Sequence, residues 1–267
     1  MAKLDTSFAF TGSLGNLSAY TMRGVDGIVV RAKGGASKHA IKTLPSFDNT
    51  RRINAEFGGR ARGSKFIMQA MQALKPLADY NISGPLNSLL SRIQKLDTKH
   101  AWGQRSILLS ENAKLLEGFS LNQKSPFDAA IRHSMVCTIS RESHTATLVI
   151  PDLVPGINLF TPKSHAYFSL VFTLGVVPDL FHSDLGYAPN HDDYHQAGNR
   201  FFKRVETSWY GTRDGFHETS LHIALHSPPP DQACTLLAGI GIRYGTPSVD
   251  QIMQVKHSGA AKIMGVA

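Results

Sequence analysis

From about residue 134 onward the apolar residues recur at every second position, and that period decides what this part of the chain can build. Ala146, Leu148 and Ile150 alternate, as do Phe168, Leu170, Phe172, Leu174 and Val176, then Leu221, Ile223 and Leu225, then Leu236, Ala238, Ile240 and Ile242. Successive side chains of a strand point to opposite faces, so each run predicts a strand with one apolar face. Further runs near 134–141, 202–210, 252–256 and 261–266 bring the expected total to about eight strands. Strands of this kind pack economically as an antiparallel β-sandwich. The longest interruption, 178–199, contains FHSDLGYAPNHDDYHQAGN and reads as a long exposed loop.

The first half follows other rules. Residues 12–35 read as a Gly-punctuated hairpin: LSAYTMR, a Gly-Val-Asp-Gly turn at 24–27, and the return IVVRAK. A lone hairpin is marginal in water, so this arm needs a packing partner, in its own chain or in another copy. After Pro45, Ser46 is a candidate N-cap for a helix with apolar positions Ile53, Phe57, Ile67, Met71 and Leu74, stopped by Pro76. Gly58, Gly59 and Gly63 interrupt it, which predicts two helices or one with a break. Another helix is expected from Pro85, with Leu86, Leu89, Leu90, Ile93 and Leu96 at helical spacing. The expected fold class is α+β, in three parts: a hairpin arm at 1–45, a basic helical segment at 46–124 and a β-sandwich domain at 125–267.

The composition, 42% hydrophobic and 18% charged, is that of a chain able to form a packed core, and it excludes disorder along the whole length. The formal charge of +8 is unevenly placed. Residues 1–124 carry 18 Lys and Arg against 8 Asp and Glu, while residues 125–267 carry 10 against 12 and ten of the twelve histidines. Opposite balances of this kind favour head-to-tail contact between copies. Cys137 and Cys234 sit in separate alternating runs, which suits two reduced core thiols better than a disulfide framework. The opening MAKLDTSFAFTG has no apolar signal core and no run is long enough to span a membrane, so a cytoplasmic place, or one within an intracellularly assembled particle, is expected.

No motif announces a chemistry. Gly58-Gly-Arg-Ala-Arg-Gly63-Ser64-Lys65 has phosphate-loop glycines, but the Ser-Lys order is reversed and no strand precedes it. No G-x-S-x-G elbow occurs, and neither catalytic residues nor a cofactor are expected. His182, Asp184, His191 and His195 have metal-ligand chemistry, and a metal-dependent or carbohydrate-binding loop is a further reading, yet the general-base Glu of zinc proteases is missing and a hydrated polar loop is the plainer one. His222 and His226 fall opposite Leu221, Ile223 and Leu225 and read as a polar sheet face. Arg51, Arg52, Arg60, Arg62 and Lys65 are dense enough to neutralise phosphates, although no helix-turn-helix, zinc-finger or RNP signature accompanies them.

GSLGNLSAYTMRGVDGIVVRAKGG followed by TRRINAEFGG resembles the opening of a family of uncharacterised proteins from Bacteroidota, over roughly residues 12–90. The resemblance implies a hairpin, a helix and a β-rich C-terminal part, and no activity. Together these features point to a non-enzymatic structural protein that forms homo-oligomers, as a filament, tube or virion-like particle. Leu17, Tyr20, Met22, Ile28 and Val30 of the arm would mediate assembly by strand addition. Nucleic-acid binding through residues 1–124 is the alternative.

Overall fold

The structure is a computed structural model that describes residues 2–3, 10–22, 25–194 and 199–267. In chain order its elements are strands β1 (Ala2–Lys3), β2 (Gly12–Leu14), β3 (Leu17–Thr21) and β4 (Ile28–Ala32), then helices α1 (Lys38–Thr43), α2 (Asp48–Ala70), α3 (Ser83–Gln94), α4 (Leu109–Asn112) and α5 (Phe127–Ala130). Strands β5 (Val136–Ser140), β6 (Thr145–Ile150), β7 (Tyr167–Pro178), β8 (Phe181–Ser183), β9 (Gly186–Ala188), β10 (Phe202–Glu206), β11 (Tyr210–Gly211), β12 (Thr219–Ala224), β13 (Cys234–Pro247) and β14 (Ile252–Val266) complete it. The fold is α+β, as the change of period predicts.

The chain divides into two compact units, 1–51 and 52–267. The expected border at 124 and 125 separates none, because the helical segment shares its core with the strands that follow. In the first unit β3 and β4 form the expected hairpin, Tyr20 opposite Val29 and Thr21 opposite Ile28. The sheet is wider than a hairpin, however, with order β1-β4-β3-β2. The β2–β3 turn uses Gly15 at φ +57°, a left-handed conformation that glycine adopts without strain.

In the second unit one antiparallel sheet runs β10-β7-β13-β14 with β11 also on β7, and a second runs β12-β6-β5. Ala146, Leu148, Ile150, Leu221 and Ile223 are the buried face of the second sheet, and they join one core with Leu170, Phe172, Leu174, Ile240 and Ile242. This is the sandwich the alternation predicts. The other face of β7 and β13 is also buried, with Ser169, Thr173 and Thr235 at zero exposure. It carries small residues so that the end of α2 can lie on it. A Cβ on Gly175 would stand 2.6 Å from Ala70 Cα, and Cβ atoms on Gly239 and Gly241 would meet Leu74 and Leu77.

The glycines of α2 act likewise. The helix runs unbroken for 23 residues, contrary to the expected break. Gly59 faces the Tyr187 ring and Gly63 faces Leu90, so close packing compensates for their weak helix propensity. The phosphate-loop lookalike is therefore helix, and Ser46 lies in a short 3₁₀ turn ahead of it. The segment 178–199 is also more built than the expected exposed loop, since it holds the β8–β9 hairpin and buries Tyr187 and Tyr194. Both cysteines are free, and burial pushes the Cys137 thiol up to about 11. Among the described residues no helix is long and apolar enough to cross a membrane.

Gly175→Ala forces α2 away from the sheet and is expected to destabilise the chain by about 1–3 kcal/mol, the usual range for overpacking. Gly58→Ala, where a Cβ meets open space within the same helix, is expected to stabilise it by about 0.5–1 kcal/mol. Urea unfolding of the two variants checks both signs.

Candidate interaction surfaces

Strand pairing sorts the residues of the N-terminal sheet. Paired residues share a face, so the Leu14–Leu17, Ala19–Val30 and Thr21–Ile28 pairs place Leu14, Leu17, Ala19, Ile28 and Val30 together. Tyr20, Val29 and Arg31 lie on the opposite face, where the Arg31 guanidinium sits 5.4 Å from the Tyr20 ring centre. The five residues expected to mediate assembly therefore do not form one surface. Leu17, Ile28 and Val30 do, Tyr20 does not, and Met22 follows the end of β3. Leu14, outside the expected set, belongs to the surface and is its most open member, 64% exposed beside Leu17 at 38%. Its position beside the Gly15 turn was the available signal.

The arginines expected to meet phosphates are already engaged. Arg51 donates to the carbonyls of Ile41 and Leu44 at 2.7 and 2.9 Å. Arg60 donates to Ser91 Oγ at 2.7 Å, and Arg62 donates to the Tyr187 carbonyl. Arg52 lies over the Trp102 ring, and Lys65 is exposed. The charge contrast also fades when the chain is divided at its structural border, because 1–51 carries 7 Lys and Arg against 3 Asp and Glu, and 52–267 carries 21 against 17. Each unit has a net charge of +4, which removes the head-to-tail electrostatic argument.

A second open surface sits on the first turns of α2 in the larger unit and on the loop after α3. Ile53 and Phe57, read as apolar positions of the helix, are 51% and 54% exposed, and Leu96 and Trp102 are 54% and 41% exposed. Buried polar pins hold the loop that carries Trp102. Asp97 accepts hydrogen bonds from the N–H groups of Lys99, His100 and Ser106 and contacts His100 Nδ1 at 2.7 Å. Glu56 accepts from Gly103 N–H and receives both arms of Arg105, Nε at 2.7 Å and Nη2 at 2.8 Å. Gln94 and the Tyr187 hydroxyl donate to the Arg105 carbonyl. Burial pushes the Glu56 carboxyl up, but Arg105 and the Gly103 N–H outweigh it and hold the group below the ordinary 4.5. Trp102 lies in the polar run HAWGQR, and nothing in that run marks its loop as rigid.

The metal-ligand candidates do not converge. His182 meets the Tyr187 ring edge-on at 5.2 Å, Asp184 lies in the exposed β8–β9 turn, and His191 Nε2 stands 3.8 Å from Asp231 Oδ2. His195 lies outside the described residues. Among the described residues no three His, Cys, Asp or Glu side chains gather as a metal site. His222 is exposed, with Nδ1 3.1 Å from Thr147 Oγ1, as expected of a polar sheet face.

One serine–histidine pair occurs where no motif suggested it. His165 Nε2 is 2.9 Å from Ser258 Oγ, and His165 lines one cleft of about 740 Å³ while Ser258 lines another of the same volume. The imidazole stacks on Tyr244, and its buried Nδ1 has no hydrogen-bond partner among the described residues. The pair thus lacks the carboxylate that orients the histidine in a Ser-His-Asp triad. No protein-family model, curated protein or solved structure matches the chain.

Stability supplied by Glu56 is complete above its unfolded value near 4.5 and is lost as pH falls through the lower folded value. Glu56→Gln is expected to cost about 2 kcal/mol at neutral pH and to flatten the fall in stability on the acid side of pH 4.5. Urea midpoints measured down the acid limb for both chains check this.

Proposed function

We propose that the chain is a non-enzymatic structural protein that assembles with copies of itself, as a filament, tube or particle, through its N-terminal sheet. The observation that carries this reading is the apolar face of that sheet, open at Leu14 and Leu17. Of the apolar side chains described in 1–51, Ala19 and Val29 alone are buried, which is a small core for a separate unit. Contact with a second copy would remove Leu14 and Leu17 from water at about 25 cal/mol per Å². The three-residue β2 ends the strand order, so its outer edge offers backbone groups for strand addition by a neighbour. Directional pairing of this sort, repeated head to tail, closes into rings or continues as filaments.

The 267-residue chain is expected to show a mass above its monomer value of 29.1 kDa in light scattering and to show assemblies in negative stain. Leu14→Asp with Leu17→Asp is expected to leave the far-ultraviolet spectrum unchanged and yield monomers. Equal masses for the two chains would sink the reading.

A further inference from the structure

We propose that the surface made by α2 and the loop after α3 binds single-stranded nucleic acid, with bases stacked on Trp102 and Phe57 and phosphates met by Lys95 and Lys99. The proposal is independent of the assembly reading and concerns the larger unit alone. Its geometry starts from the way α3 lies along α2. Ser64 bonds to Asn87 and Arg60 to Ser91, so the helices run antiparallel with residue sums of 151. Continuing that register places Phe57 beside residue 94, at the end of α3. Asn87, Ser91 and Lys95 repeat at four residues, so Lys95 is the next member of the stripe facing α2.

Three properties favour a polynucleotide as the occupant. The aromatic rings are exposed and each has a guanidinium on one side: Arg52 stands 5.8 Å from the centre of Trp102 and Arg60 stands 5.7 Å from that of Phe57. Stacks of this kind combine base stacking with cation–π attraction, and they accept any base because every base has a π-face. Of the carboxylates near this surface, Glu56 and Asp97 are buried and saturated by internal donors and Asp48 at the start of α2 is paired with Arg51, while Lys95 and Lys99 are exposed. The outward charge is therefore positive, which is complementary to phosphate and unfavourable for a second basic copy of this chain. The loop is also pinned at Asp97 and Glu56, so Trp102 is held in place before binding and little ordering is left to oppose it. Stacking on an exposed ring requires a base whose face is free, which selects unpaired bases over duplex.

The chain contains two tryptophans, so Trp209→Phe leaves Trp102 as the only fluorophore of its kind. Titration of this variant with an oligothymidylate of about 20 nucleotides, enough to span one such site, is expected to quench Trp102 emission to saturation at low salt. In anisotropy with the labelled oligonucleotide, Trp102→Ala is expected to weaken binding roughly tenfold, with Trp102→Phe retaining most of it. Lys95→Ala with Lys99→Ala is expected to reduce the slope of log affinity against log salt by about 1.4, or 0.7 for each phosphate that the lysines cease to neutralise. Far-ultraviolet spectra of all variants should match that of the parent. Absence of quenching at low salt overturns the proposal, as does binding that Trp102→Ala leaves unchanged. Quenching by an acidic peptide and not by the oligonucleotide overturns it in favour of a protein partner.

Discussion

The architecture of the larger unit depends on how closely the end of α2 approaches the central sheet. Gly175, Gly239, Gly241 and Gly259 leave out the side chains that would otherwise meet Ala70, Leu74 and Leu77. With those side chains absent, the helix and the connection after it cover the face of β7 and β13 that the second sheet does not. Both strands are thereby removed from water on both faces, and the sandwich gains a third layer. The arrangement is dense, because interiors pack like organic crystals and a single added methyl group is felt. It also fixes the direction of α2, whose middle then rests on Tyr187 through Gly59 and on Leu90 through Gly63.

From that seat the open surface follows. Once α2 is placed, Glu56 points inward and must be paired, since a buried carboxylate without partners is costly. Arg105 and the Gly103 N–H meet that need, and in doing so they tie the loop of Trp102 to the helix. The N-terminal sheet stands under the opposite constraint. Its central strands β3 and β4 are paired on both sides, but it has few buried apolar side chains, so its stability calls for further apolar contact.

Much of the fold was legible in the sequence where side chains are large and the period regular. The runs Phe168 to Val176 and Leu236 to Ile242 marked strands and also marked the face toward the second sheet. The opposite face was harder to read because its Val171, Val177 and Leu237 are interspersed with glycine, serine and threonine, which carry no hydrophobic signal yet are buried there by proximity to a helix. The same effect made Gly59 and Gly63 read as interruptions. Of the candidate surfaces, Leu17, Ile28 and Val30 were found by their place in the hairpin, and Leu14 was missed because β2 is three residues long. Phe57 and Ile53 were read only as apolar positions of a helix, since spacing reports that residues share a side of a helix and not whether anything covers that side.

By itself the sequence determined the class of fold, most strands of the second half, the hairpin near the N-terminus and the presence of the two helical segments, because each depends on local period and turn chemistry; it read β14 as two strands, 252–256 and 261–266, and placed a break in α2 that the structure does not have. The tertiary structure alone decided that the basic helical segment and the sandwich form one unit. It also decided that three of the arginines read as phosphate ligands, Arg51, Arg60 and Arg62, are bonded to protein oxygens, and that Leu14, Phe57 and Trp102 stay open. These outcomes depend on which distant residue lies opposite each side chain. Gly175 lies against Ala70, Glu56 against Arg105 and Arg62 against the Tyr187 carbonyl, pairs that no period or spacing records.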